Sequence, residues 1–298
     1  MTNRTAYLAF AAMSLIWGLT WFPAKIALET VPPLFFTGTR FVVAGLILVA
    51  WLAARGASVI PPPELRGRVL AVTALSFVAC PALVFWGLVH TPSGLAAVVN
   101  HTLVPLGLYG FGLLAGEERR ERRLDLALAL GVAGLLLLFG PRLGNAGAAS
   151  LVSLAAIVVG TLAHPVGWVI GRKAARALDP VALSAATMTL GGVALTLLSL
   201  ALERPGVATL AAFLDPRVAA AWLFQIVGGS LIAYTLNFLL LREWGPVRSG
   251  LYSFVSPIVA TLAGALVLGE RFGAVEFAGM AAMLASTLLA LSRPARTG

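Results

Sequence analysis

VLAVTALSFVACPALVFWGLVHTPSGLAAVVNHTLVPLGLYGFGLLAG, residues 69–116, carries no Asp, Glu, Lys or Arg in 48 positions. A membrane-spanning helix needs roughly 20 apolar residues. The run therefore holds two spans, and His90-Thr91-Pro92-Ser93-Gly94 supplies the turn between them. Strands of a membrane barrel would alternate over segments of about ten residues, a pattern absent here.

Cutting the rest of the chain at its charges gives Thr5–Ala24, Pro33–Ala54 (with Arg40 inside it), Leu126–Pro141, Leu143–Gly171, Pro180–Leu202, Val218–Leu241, Ser249–Gly269 and Phe277–Ser292. The sequence thus predicts an all-α polytopic membrane protein of ten spans. Of its 298 residues 59% are hydrophobic, 11% are charged, and the mean hydropathy is +0.94. A soluble domain carries about 25% charge, so a soluble fold and a disordered chain are both excluded. Cys80 is the only cysteine, which excludes a disulfide scaffold. The first span follows Arg4 and runs into Trp17, Trp21 and Lys25 without a small-x-small cleavage site, so it reads as an uncleaved helix.

The net charge is +9 and the isoelectric point about 11.0. In a soluble protein that balance would raise nucleic acid as a partner. Here the basic residues sort by membrane side. With the N-terminus inside, 15 Lys and Arg fall on the cytoplasmic side and 5 on the other. The bias places both termini in the cytoplasm and removes the need for a nucleic-acid partner. Lys25 and Lys173 are the only lysines, the bias of a GC-rich bacterial genome. The longest connection, Glu203 to Arg217, is too short for a soluble catalytic domain.

The chain repeats itself. Pro105 and Pro257 are 152 residues apart, as are Glu118-Arg119 and Glu270-Arg271, and Leu88 and Leu240. At an offset of 147, Trp21 meets Trp168, Lys25 meets Arg172, Pro33 meets Pro180 and Gly45 meets Gly192. Two halves follow, residues 1–142 and 143–298, each of five helices. Five is odd, so the second half enters the membrane from the opposite side. Such inverted-topology repeats recur in secondary transporters, with the substrate site near the midplane where the halves meet.

These residues carry a resemblance. LIWGLTWFPAK (residues 15–25), TGTRF (37–41) and Pro257 followed by ALVLGER (265–271) resemble the EamA-type branch of the drug/metabolite transporter superfamily. The first-half version of the last motif, LLAGEER (113–119), is slightly degenerate. The resemblance covers almost the whole chain. It implies a central cavity lined by helices 1–4 and 6–9, with helices 5 and 10 peripheral, and export of amino acids or other small metabolites. Aromatic enrichment in helices 1, 3 and 6 points within the superfamily to the aromatic amino-acid exporters.

Polar residues inside spans are functional candidates by default. Arg40 is the one formal charge deep in a helix; it fits either a carboxylate-binding role or a structural bond to neighbouring carbonyls. Asn100 and His101 form a polar patch a turn before Pro105, and His164 precedes Pro165. Both histidines fit substrate binding, proton carriage or an ordinary interhelical bond. Trp17 and Trp21 share a face of helix 1, with Trp168 the counterpart of Trp21. Trp86, the pair Tyr234 and Asn237, and the pair Tyr252 and Ser256 complete a set of aromatic walls with a few polar groups. Trp51, Trp222 and Trp244 instead fit the interfacial aromatic belt. Pro81, Pro105, Pro165 and Pro257 fall within helices 3, 4, 6 and 9 and would interrupt them as gating hinges. Gly112-x-x-x-Gly116 and Gly167-x-x-x-Gly171 permit close helix contact.

All twelve carboxylates fall in loops or at helix ends, which argues against a proton-driven cation antiporter. No Gly-Lys-Ser/Thr phosphate loop and no metal-ligand spacing occur, so neither ATP hydrolysis, a metal nor a cofactor is expected. The expected function is a monomeric, non-enzymatic secondary exporter of aromatic or hydrophobic amino acids in the bacterial inner membrane, working by alternating access as a facilitator or through a histidine-coupled proton cycle. An exporter of other small solutes or drugs, a polytopic membrane enzyme and an assembly subunit are the alternatives.

Overall fold

The computed structural model describes residues 3–89, 91, 93–143, 151–268 and 273–292. Within them the chain is helical, with no strand. The long helices are α1 (Asn3–Leu28), α2 (Pro33–Ala54), α3 (Pro63–Leu88), α4 (Ser93–Leu114), α5 (Arg122–Leu143), α6 (Leu151–Ala177), α7 (Pro180–Leu202), α8 (Pro216–Trp244), α9 (Tyr252–Leu268) and α10 (Ala274–Leu291). Among the described residues nine helices are long and apolar enough to cross a bilayer. The remaining one, α9, has 17 described residues and adjoins residues 269–272, which lie outside the described set with Glu270-Arg271. His90 of the expected turn and residues 144–150 of the expected seam also lie outside it.

Local chemistry starts several of these helices. Asp179 caps α7 by accepting from the backbone N–H of Val181 and Ala182, with Pro180 in the first turn. Asp215 and Pro216 do the same for α8. The start of α2 has no cap of its own. Glu203, at the end of α7, reaches over to accept from Leu34 N–H and Phe35 N–H, both at 2.9 Å. A carboxylate at a helix N-terminus is favoured by the unpaired amides and the helix dipole, so α2 and α7 are tied together at that end.

The helices are inside-out amphipaths. On α7 the inward face holds Ser184, Thr187, Gly191, Gly192 and Ser199, while Leu190, Val193, Leu197 and Leu200 are exposed. Small residues face other helices because lipid gives no hydrophobic drive to hide large ones. Small size lets backbones meet. A Cβ on Gly192 would lie 2.5 Å from Val42 N, and one on Gly45 2.6 Å from Thr189 N. Val42 and Gly45 stand 147 positions before Thr189 and Gly192, so these two contacts are exchanged by the repeat. This is an isologous, two-fold contact within one chain. A second one joins α5 and α10. Gly134 and Gly279 meet, each with the other's carbonyl 2.7 Å from a built Cβ, and Ser286 Oγ donates to Ala127 O at 2.5 Å. Ala127 and Gly134 precede Gly279 and Ser286 by 152. The fold is an inverted two-repeat bundle whose pseudo-two-fold passes between α2 and α7 and between α5 and α10.

Two features were not anticipated. Thr73–Ala79 within α3 and Gln225–Ile232 within α8 are π-helical, and they too are 152 residues apart. Widened turns of this kind concentrate at functional sites. Pro81 follows the first of them, but its counterpart is Ala233, so proline is not what the two segments share.

Candidate functional site

The aromatic residues singled out from the sequence meet in a column across the bundle. His164 and Trp168 of α6 have ring centroids 4.2 Å apart. Trp168 reaches Tyr252 of α9 at 6.4 Å, and Tyr252 packs on Trp17 of α1 at 4.3 Å. Trp17 meets Tyr234 of α8 edge-on at 5.1 Å. Tyr234 continues to Phe77 of α3 at 4.9 Å and Phe41 of α2 at 5.6 Å. Phe41 and Phe77 were not foreseen; lone Phe in an apolar span carries no polar handle to mark it. Trp21 is separate from the column and pairs with His101 of α4 at 5.8 Å. Trp86 is half-exposed. Helices α5 and α10 pack on each other and contribute no ring to the column.

Polar groups sit along this column. Trp17 Nε1 donates to Gly229 O at 3.2 Å, a carbonyl of the α8 π-helical segment. From α2, the Arg40 guanidinium donates to Gln225 Oε1, the first residue of that segment, and its Cζ lies 4.9 Å from the Phe41 ring centroid. Gln225 Nε2 donates to Thr20 O at 2.9 Å. Gln225 was missed by the sequence reading, although it is the only amide or charged residue in the Val218–Thr235 stretch. Among the described residues several buried polar atoms have no protein partner: Arg40 Nε, His101 Nδ1, His164 Nε2, Trp168 Nε1 and both amide atoms of Asn237. Other candidates are already engaged. Asn100 Nδ2 donates to Thr161 Oγ1 at 3.1 Å, and Ser256 Oγ donates to Ser14 O at 3.3 Å.

Some expectations need correction. Pro105, Pro165 and Pro257 lie inside helices that run on past them, each at the cost of one backbone hydrogen bond. Neighbouring helices receive them instead: the Pro165 ring fills the space over Gly107 of α4, 2.7 Å from a built Cβ. Pro81 also lies within helix, just after the π-helical segment of α3. Gly112-x-x-x-Gly116 is a helix stop rather than a packing motif. Gly116 has φ +67°, and Glu117 N–H and Glu118 N–H return to Gly112 O. Gly167-x-x-x-Gly171 does pack closely, against Ser76 and Val72 of α3. Trp222 Nε1 donates to Thr39 Oγ1 at 3.3 Å. Trp51 is stacked by Arg55, 4.0 Å away.

At the end of the bundle where α4 and α6 finish, Arg172 forms a clamp. Its Nη1 donates to Glu117 O at 2.7 Å and Glu117 Oε2 at 3.1 Å, with Glu118 Oε1 at 3.4 Å. The Arg172 side chain is only 11% exposed. Gly245, closing α8, has φ +81°, a conformation that favours glycine, and a Cβ there would lie 2.9 Å from Arg172 Nη2. Burial pushes the Glu118 carboxyl up from its ordinary value, against the opposing pull of Arg172 and Arg248.

Two surface clefts occur elsewhere. One of about 530 Å³ lies between α4 and α5, lined by Leu106, Tyr109, Asp125 and Leu128 among others. The second, of about 340 Å³, lies at Phe35, Thr39, Phe213 and Trp222. Neither includes a ring of the aromatic column. Among the described residues no three His, Cys, Asp or Glu side chains are placed to share a metal.

Comparison with known proteins agrees with this architecture. A crystal structure superposes with a TM-score of 0.81 at 22% identity, covering 97% of both chains, which shows the fold. The inner membrane transporter YedA of Escherichia coli is 31% identical over 285 residues, 94% of this chain and 89% of its own. PecM of Dickeya dadantii is 27% identical, covering 92% and 88%. PagO of Salmonella typhimurium is 24% identical, covering 87% and 84%. Residues 4–140 and again 151–292 match the family described as EamA-like transporters. The chain belongs to the EamA-like transporter family.

Proposed function

We propose that this transporter exports amino acids with aromatic or hydrophobic side chains across a bacterial inner membrane, with both termini cytoplasmic, by alternating access. The observation that carries the substrate reading is the column of His164, Trp168, Tyr252, Trp17 and Tyr234, drawn from four helices and interspersed with unpartnered donors and acceptors. Aromatic walls accept a flat apolar group, and the few polar atoms orient it.

Alternating access is supported by a broken symmetry. Trp21 and Trp168 are repeat counterparts, yet Trp168 is fully buried and Trp21 is 47% exposed. Trp168 lies one turn from the Arg172 clamp, and Trp21 lies toward the opposite end. Packed at one end and looser at the other is what an inverted repeat shows in a one-sided state. On the 15-to-5 charge count, the clamped end is cytoplasmic and this is an outward-facing state.

The test is counterflow of labelled tryptophan, phenylalanine and threonine in proteoliposomes. Uptake of the aromatic pair above threonine is expected. Trp17→Ala removes one wall of the column, and the loss of one aromatic contact to the substrate, at about 0.5–1.5 kcal/mol, should lower transport up to about tenfold. Trp51→Ala, at the far end of α2, should stay within twofold. No amino-acid transport by the parent would end the substrate reading, and equal effects of the two variants would remove Trp17 from the site.

A further inference from the structure

We infer that Arg40 and Gln225 form an anion subsite that binds the carboxylate of the substrate, with the ring column beside it taking the apolar part. The inference deepens the exporter reading above and rests on it. Arg40 lies seven residues into α2, about 10 Å from its end at 1.5 Å per residue. A charge at that depth is costly unless something pairs with it. No described carboxylate forms an ion pair with Arg40. Among the described residues its one protein acceptor is the neutral Gln225 Oε1, and its Nε has none.

The repeat supplies an internal control. The counterpart of Arg40 is Thr187 at an offset of 147, and that of Gln225 is Thr73 at 152. Both threonines are satisfied within their own helices. Thr187 Oγ1 donates to Leu183 O and Thr73 Oγ1 to Val69 O, each at 2.8 Å. The same helices pack in the same way in that half without a charge or an amide. The scaffold therefore does not need Arg40 and Gln225, and they are an addition made in one half.

Geometry turns the addition into a site. Gln225 is held by Thr20 O, so its carbonyl oxygen fixes one arm of the guanidinium and leaves the rest of the fork free. Gly229, one turn on in the π-helical segment, has no side chain. A Cβ there would crowd Gln225 Oε1 at 2.8 Å and stand 3.8 Å from Arg40 Nη1. Trp17 is tied to the carbonyl of this same glycine, and the Phe41 ring lies against the guanidinium, so rings of the column stand beside the fork. A planar fork with free donors matches a carboxylate. The ligand class is an aromatic or hydrophobic monocarboxylate, amino acids included, rather than an organic cation.

The experiment uses the purified full-length protein and thermal denaturation with phenylalanine, phenylacetate or phenethylamine. Phenylalanine and phenylacetate should raise the melting temperature, and phenethylamine at equal concentration should not. Arg40→Met should weaken the carboxylate effect about 10- to 100-fold in ligand concentration, the range of one charge-assisted hydrogen bond. Arg40→Lys should keep part of it. Gln225→Glu places a carboxylate against Arg40 from within. It should raise the melting temperature without ligand and abolish the response to phenylacetate, a readout that survives if Arg40→Met does not fold. Equal stabilisation by phenethylamine, an undiminished carboxylate response in Arg40→Met or Gln225→Glu, or no carboxylate response in the parent overturns the subsite. An Arg40-dependent response to carboxylates without phenylalanine counterflow leaves the subsite standing and overturns the amino-acid reading instead.

Discussion

Replacing Arg172 by Gln should open the clamped end of the bundle. The clamp consists of a strong bond to Glu117 O at 2.7 Å, a carboxylate contact at 3.1 Å and a third at 3.4 Å. A hydrogen bond from a charged donor contributes about 1.5–3 kcal/mol. The Glu117 carboxylate is 37% exposed, so its pairing is discounted to below about 1 kcal/mol, and the longest contact adds little. Loss of roughly 2–3 kcal/mol shifts an open-to-closed equilibrium about 30- to 150-fold at 1.4 kcal/mol per decade. The assay is labelling of Ser253→Cys by a membrane-impermeant maleimide in a Cys80→Ser background. Ser253 is 1% exposed, next to Tyr252 behind the clamp. In inverted vesicles Arg172→Gln should raise the labelling rate by at least tenfold, and in right-side-out vesicles it should lower it or leave it unchanged. A rate within twofold of the parent in both orientations would show that Arg172 closes nothing.

Glu118 adds a pH test of the same clamp. Its pKa is raised in the closed state by burial, against Arg172 and Arg248, with Glu117 and Glu121 adding to the rise. The closed state therefore holds the Glu118 proton more tightly than an open, hydrated one. Linkage then favours closure as pH falls through the raised pKa and weakens it as pH rises above. Glu118→Gln mimics the protonated form, so at pH 8 it should label more slowly than the parent, and the two should converge in acid. Faster labelling of Glu118→Gln at pH 8 would mean that its charge holds the clamp shut.

The remaining predictions concern packing and the buried amide. Gly192→Ala sets a Cβ 2.5 Å from Val42 N and 2.9 Å from Gly38 O, so it should lower the melting temperature by the equivalent of about 1–3 kcal/mol or prevent folding, while Gly67→Ala, with nothing within 4 Å, should not lower it. Equal melting of the two would disprove the α2–α7 seam. Asn237 is fully buried with neither amide atom partnered, so Asn237→Leu should remove an unmet polar burden of about 1–3 kcal/mol and raise the melting temperature while lowering transport. A fall in melting temperature would mean that the amide is bonded in the folded protein and serves structure.

How much of this was readable beforehand depended on the kind of signal. Spans were legible because lipid forbids charge over about 20 residues, and the chain obeys that rule nearly everywhere. Trp17, Tyr234, Tyr252 and Trp168 were legible because large rings with polar handles, spaced one helical turn from other polar residues, are rare within spans. Gln225 was not, because its role depends on facing Arg40 across 185 residues of sequence and on a π-helical segment that no local preference announces. The Arg172 clamp stayed hidden for a related reason. Arg172 reads as a side marker when basic residues are counted and Glu117 as an acid at a helix end, and only the folded ends show them in contact. Gly112 and Gly116 misled because their spacing suits helix contact and helix termination alike. The positive φ of Gly116 decides between them, and φ is invisible in sequence.

The symmetry also separates what must stay fixed from what must move. If the two halves exchange conformations, Trp168 becomes the looser tryptophan and Trp21 the buried one, and the Arg172 clamp opens. The contacts Gly45 to Thr189 and Gly192 to Val42 are exchanged into each other by the same operation, and so are Gly134 to Gly279 and Ala127 to Ser286. They are identical before and after. Helices α2 with α7, and α5 with α10, can therefore remain packed through the whole cycle, and their backbone-to-backbone closeness gives no freedom to do otherwise. The rings of the column sit mostly on α1, α3, α6, α8 and α9, outside those pairs. Phe41 and Arg40 are the exceptions: they ride on the static α2 while Gln225 rides on α8. A carboxylate held by Arg40 would be anchored to the axis while the aromatic walls around it change sides, which places the charged end of the substrate at the pivot and its apolar end in the moving parts.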